Sequence, residues 1–180
     1  MLYKIRVVSD EIDDFRRDIL IDSESTFLQL KDVICKSVGF DPAIMSSFFI
    51  CGDNWEKHQE ITFEDMGDDM TKDLYVMSDT PLSELINEVG QKLLFTFDYL
   101  ADRSLYLQIK DEEFGRELSE PECVLSRGEA PQQLLPYDEV DLLTQAKTAT
   151  TDSYDDLDEE FLGSSDYDED DIRDFDEMNY

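Results

Sequence analysis

The chain has 180 residues, 46 of them acidic against 15 basic, for a formal charge of −31. That balance argues against direct binding of nucleic-acid phosphates, which needs Lys/Arg patches, and against an anionic membrane surface; it favours basic partners, cations or simple solubility. With 11 Phe and 8 Tyr the chain has the apolar bulk for a proper core, and its length makes one domain with an appendage the expectation.

LYKIRVVS (2–9) alternates Tyr3, Ile5 and Val7 with Lys4 and Arg6, the period of a half-buried strand. DEIDD (10–14) links it to FRRDILID (15–22), which predicts an antiparallel hairpin. STFLQLKDVICKSVGF (25–40) sets Phe27, Leu30, Ile34 and Val38 at helical spacing. Ser23, Ser25 and Thr26 mark its start, with Thr26 and Gln29 at capping-box spacing. Gly39 stands where a left-handed cap is expected, and Lys36 suits the negative end of the dipole. Asp41 and Pro42 then turn the backbone, and SFFIC (47–51) reads as a compact strand. This strand, helix and strand form the unit around which the rest is arranged.

Residues 52–73 are polar with scattered anchors at Trp55, Ile61 and Phe63, and read as a long loop. DLYVMS (73–78) predicts a short strand. TPLSELINEVG (80–90) predicts a helix capped by Thr80, with Pro81 at its first position and Gly90 at its end. KLLFTFDYL (92–100) and RSLYLQIKD (103–111) alternate and predict a hairpin at the centre of the sheet. Residues 112–136, punctuated by Pro121, Gly128, Pro131 and Pro136, read as loop, and YDEVDLLTQAK (137–147) as a last helix. The expected domain is 1–147. From 148 the character changes: residues 151–180 hold 14 acidic side chains and one basic, the composition of a disordered acidic tail.

Candidate chemistry is sparse. His58, the one histidine, lies between Glu56 and Glu60; a lone loop histidine is usually solvated. Cys35, Cys51 and Cys123 show no zinc spacing and read as reduced structural thiols. No Gly-rich phosphate loop is present, so no cofactor is implied. Asp98 and Asp102 flank the predicted hairpin turn; as paired carboxylates they could hold a metal or act as acid and base, and as turn residues they could bond nearby backbone. Asp166, Asp168, Asp170 and Glu177 fall at calcium-loop spacing, but Asp171 stands where that loop needs Gly. Among the tail's acids, Tyr154, Phe161, Tyr167 and Phe175 are the residues with which it could dock on a basic, grooved partner, ordering as it binds.

FRRDILIDSESTFLQLKDVICKSVGFDPAIMSSFFI resembles the helix-bearing signature of the Ri-plasmid ORF-3-like family, also labelled insertion-element passenger proteins of TnpR type. LLFTFDYLADRSLYLQI resembles that family's Tyr-Asp-Phe-Gly-Asp-x-Trp-x-His stretch, and PECVLSRGEAPQQ its Pro-Cys-Gly-Pro segment. The resemblance implies an α+β fold of ubiquitin-like flavour and a mobile-element association. Asp98 and Asp102 match the family's pattern. The departures are Phe40 and Ile44 in place of a Trp and a His, Ser104 and Tyr106 in place of another Trp and His, and Ala130, Pro131, Gln132 and Gln133 in place of Pro-Pro-Glu-Asp. If relatives do chemistry through those groups, this chain lacks them.

The combined expectation is a mixed, mainly antiparallel sheet packed on a central helix, followed by the acidic tail. The protein should be cytoplasmic, since the amino terminus shows no apolar leader and no run approaches a membrane span. It should be a non-enzymatic interaction protein for a basic protein partner, with no membrane and no direct nucleic-acid contact; nothing in the sequence assigns an oligomeric state. The competing expectation is a hydrolase-like or metal-dependent enzyme using carboxylates near the 92–111 hairpin.

Overall fold

The computed structural model describes residues 1–65, 67, 74–136 and 138–142. Two compact units are distinguished, Met1–Leu135 and Pro136–Tyr180. In the second, residues 138–142 are helical. The remainder of the helix expected over 137–147 and the tail expected over 148–180 lie outside the described residues.

The first unit is α+β. Its strands are β1 Leu2–Ser9, β2 Arg16–Asp22, β3 Ser47–Cys51, β4 Lys57–Thr62, β5 Tyr75–Val76, β6 Lys92–Asp98, β7 Arg103–Glu113 and β8 Glu122–Arg127, with helices α1 Phe27–Val38 and α2 Leu82–Leu85. They form one mixed sheet in the order β5-β4-β3-β6-β7-β1-β2-β8. Among the described residues only β4 and β5 pair in parallel; the other pairings are antiparallel. No helix among the described residues is long and apolar enough to cross a membrane.

α1 forms where its local signals put it. Thr26 and Gln29 make the reciprocal capping box, and Gly39 closes the helix in the left-handed region at φ 73°. The amides of Phe27 and Leu28, orphaned by helix geometry, donate to the carbonyls of Thr80 (3.1 Å) and Met77 (2.9 Å). Phe27, Leu30 and Ile34 are fully buried, and Val38 packs partly buried against the same core. The Phe27 ring meets Phe48 of β3 at 5.5 Å, and Phe48 meets Phe95 of β6 at 4.8 Å. α1 therefore covers the face of the sheet that carries Phe48, Phe95 and Leu105. The opposite face carries a row of hydroxyls, Ser47, Thr96 and Ser104, beside a row of bulk, Phe49, Leu94 and Tyr106.

Three expectations are corrected. The 52–73 stretch contains β4: Gly52 and Trp55 close a turn, and Ile61, fully buried opposite Phe48, anchors an otherwise polar strand. Residues 112–136 contain β8, an edge strand that is mostly exposed, Val124 and Leu125 included. Buried Arg17 secures its end, donating to the carbonyls of Arg127 (2.6 Å), Gly128 (3.1 Å) and, at the end of α1, Ser37 (3.2 Å). Gly128 adopts φ 69°, and a Cβ there would stand 2.5 Å from the Asp14 carbonyl oxygen, so the chain can leave β8 only through glycine. The 80–90 helix is cut to four residues. Thr80 does not cap it; its hydroxyl donates to Val76 O at 2.8 Å. The Gln91 side chain takes the Asn87 amide (2.8 Å) and the Leu85 carbonyl (2.7 Å), and Gly90 pairs with Ile109, drawing the chain back toward β7.

Candidate functional site

The β6–β7 hairpin separates the carboxylate pair that the sequence singled out. Asp98 ends β6 opposite Arg103, which opens β7. Its side chain is buried; one oxygen accepts from Arg103 Nη1 at 3.3 Å and the other from the Ala101 amide at 3.3 Å. Asp102 is exposed in a left-handed turn conformation (φ 48°) and pairs with Lys57 Nζ at 3.1 Å. The two carboxylates serve different partners.

Arg103 organises this end of the sheet. Its guanidinium makes two 2.8 Å bonds to Glu11, in the β1–β2 connection, and donates to Gln132 O at 2.7 Å. It lies 4.9 Å from the Phe97 ring centre, and Phe97 in turn packs against Phe40 with the rings tilted by 47°. Gln133 closes the arrangement: its side chain accepts from the Asp41 amide at 2.7 Å and donates to the Asp41 carbonyl at 3.0 Å. Burial alone would lower the pKa of the guanidinium, but the bonds to Glu11 and Asp98 outweigh it and hold the charge in place. The turn after α1, the β6–β7 hairpin and the 132–133 segment, three stretches that carry the family resemblance, thus converge on one cation. Gln132 and Gln133 act here through a carbonyl and an amide. No local signal marked Arg103, since Glu11 is 92 residues away.

A concavity of about 480 Å³ opens beside the same hairpin. Met45, Phe63, Leu74 and Tyr99 wall it, and Glu60, Thr62 and Glu64 bring polar groups to it. Its floor follows from register: on the face away from α1, Ser47 stands opposite Thr62 and Phe49 opposite Glu60. Ser47 is fully buried; its hydroxyl donates to Glu60 Oε1 at 2.8 Å and is hydrogen-bonded to the Tyr99 hydroxyl. Burial raises the Tyr99 pKa, the Ser47 bond opposes this, and the Glu60 charge adds to it. Met45, Leu74 and Tyr99 are 40%, 46% and 46% exposed, three large apolar side chains left in water at one place. On the other side of Phe63, Lys31 of α1 is buried with its Nζ 3.2 Å from the ring centre and 2.5 Å from Pro42 O. Desolvation lowers the pKa of this lysine, against the pull of Cys35, Asp32, Glu64 and Asp41.

His58 is exposed on β4, 3.8 Å from Glu56. All three cysteines are free thiols, and burial pushes Cys35 up to about 11. Among the described residues no three His, Cys, Asp or Glu side chains are grouped so as to hold a metal. Tyr154, Phe161, Tyr167 and Phe175 lie outside the described residues, as does the Asp166–Glu177 spacing.

Residues 2–176 match the family described as plasmid pRiA4b ORF-3-like proteins. The chain belongs to this family. No curated protein matches it. Among solved structures, this ORF-3-like chain is similar to a protein of unknown function from Methanosarcina mazei Go1. That similarity has a TM-score of 0.53 at 17% identity and covers 69% of this chain and 68% of that one. At such identity the likeness shows a shared fold alone.

Proposed function

We propose that this ORF-3-like protein is a non-enzymatic interaction protein that binds a basic protein partner, partly through its acidic residues 148–180, with Tyr154, Phe161, Tyr167 and Phe175 as their apolar contacts. One observation carries the reading: Met45, Leu74 and Tyr99 remain exposed around a concavity that also holds Glu60 and Glu64. Large apolar side chains gathered in one place and rimmed by charge are characteristic of partner sites. The charge of −31 sets the sign of the partner. The enzyme alternative is weakened because Asp98 is engaged by Arg103 and Ala101 while Asp102 faces Lys57. The same reading places the protein in the cytoplasm, a reducing compartment in which its three cysteines stay thiols. The plasmid description of the family supports a mobile-element association.

The test titrates the full-length protein and a variant ending at residue 147 against duplex DNA and against basic proteins recovered with it, at low and high salt. Duplex DNA is expected not to bind. Partner affinity should fall as the Debye length shortens from about 10 Å at 0.1 M to about 3 Å at 1 M salt, without vanishing, since apolar contact is not screened. Tight binding of DNA by the isolated protein would refute the charge argument. Equal partner binding by the shortened variant would remove the tail from the site.

A further inference from the structure

The concavity beside Tyr99 combines apolar walls with hydrogen-bond acceptors. The Thr62 hydroxyl donates to Tyr75 O at 3.3 Å, so toward a ligand its oxygen can only accept, as the carboxylates of Glu60 and Glu64 do. Ser47, itself fully buried, holds one oxygen of Glu60 and so fixes that carboxylate on the wall. The second oxygen of Glu60 makes no hydrogen bond among the described residues. An occupant must therefore bring an apolar stem and a positively charged donor head.

Two such heads are available in proteins, and the walls discriminate between them. One face of Phe63 carries Lys31, so Tyr99 and the other face of Phe63 are the aromatic surfaces a cation could meet. A guanidinium is planar, weakly hydrated, stacks on an aromatic face and bonds carboxylates with a fork of donors. An ammonium is a strongly hydrated point charge that loses more on entering a half-apolar site. We propose that this concavity is a receptor for an arginine side chain of the basic partner. The methylene stem lies against Met45, Leu74 and Tyr99, and the guanidinium pairs with Glu60 and Glu64. The proposal rests on the basic-partner reading above and names the group that this part of the surface recognises.

The probe is N-acetyl-arginine methylamide, added to the ¹⁵N-labelled full-length protein and followed by amide chemical shifts. The citrulline and lysine analogues serve as comparators. Saturable shifts confined to Thr62, Phe63, Leu74 and Tyr99 and their neighbours are expected with the arginine amide, weaker binding with lysine, and none with uncharged citrulline. Glu60→Gln should weaken binding about threefold to fivefold, the range of a partly exposed ion pair. Glu64→Gln should weaken it similarly, and both variants should keep the wild-type thermal midpoint. Shifts scattered over the acidic surface, equal binding of citrulline, or affinity unchanged in both variants would overturn the proposal. The two levels fail separately. If the pocket variants bind a basic protein as the wild type does, the arginine receptor is wrong and the basic-partner reading stands. If no basic protein binds the full-length chain even at low salt, the underlying reading is wrong.

Discussion

Replacing Arg103 by methionine keeps an apolar stem and removes the guanidinium. The side chain is 6% exposed and its partner Asp98 3%, so water cannot replace the lost cation beside that carboxylate. Leaving a buried charge unpaired costs about 3–5 kcal/mol. Glu11, at 34% exposure, regains water and adds little, within about 1 kcal/mol. The orphaned Gln132 carbonyl adds about 1 kcal/mol. A loss of about 4 kcal/mol is expected, allowing for partial relaxation of Asp98 toward solvent. With a urea slope of about 2 kcal/mol per molar, the unfolding midpoint falls by about 2 M. The assay is equilibrium urea unfolding at pH 7, followed by the fluorescence of Trp55. Adding Asp98→Asn to Arg103→Met should recover a substantial part of the loss, because the uncompensated charge is gone. A midpoint shift under about 0.5 M for the single variant, or no recovery in the double variant, would refute the claim that this cluster binds the end of the sheet together.

Leu30→Ala, at a fully buried position of α1, should cost about 2–5 kcal/mol in the same assay, and a change below about 0.5 kcal/mol would place Leu30 outside the core. Lys31→Met should stabilise the protein or leave it unchanged near neutral pH, because the buried ammonium bears a desolvation cost. The folded-state pKa is lowered, so raising the pH releases the proton from the folded state first, and the wild type gains relative stability between that pKa and the ordinary lysine value. The advantage of Lys31→Met should therefore shrink as the pH rises from neutral toward the ordinary lysine range in paired urea titrations; an advantage that grows with pH would contradict the sign. Deleting residues 148–180 should leave the thermal midpoint of calorimetric unfolding nearly unchanged, and a drop of many degrees would mean that Phe161 or Phe175 packs on the core.

Features governed by neighbours a few residues apart were legible in the sequence. The capping box of Thr26 and Gln29, the left-handed Gly39 and the apolar spacing of Phe27, Leu30 and Ile34 defined α1 almost to the residue. Alternation did the same for β1, β6 and β7, and the segments quoted for the ORF-3-like resemblance led to the family. What only the tertiary structure decided depends on register and on contacts distant in sequence. β4 and β8 are strands because β3 and β2 offer them open edges; their own residues, with Ile61 alone fully buried in β4, carry no strand period. α2 stops early because Gln91 and Ile109 compete for its backbone. Asp98 was visible as an acid at a turn, whereas its role depends on Arg103, whose other carboxylate comes from Glu11 in another connection. The pocket beside Tyr99 is assembled from β3, β4 and the turns around them. A side chain's type is written in the sequence, but whether it is exposed, paired or buried is set by which distant strand lies against it.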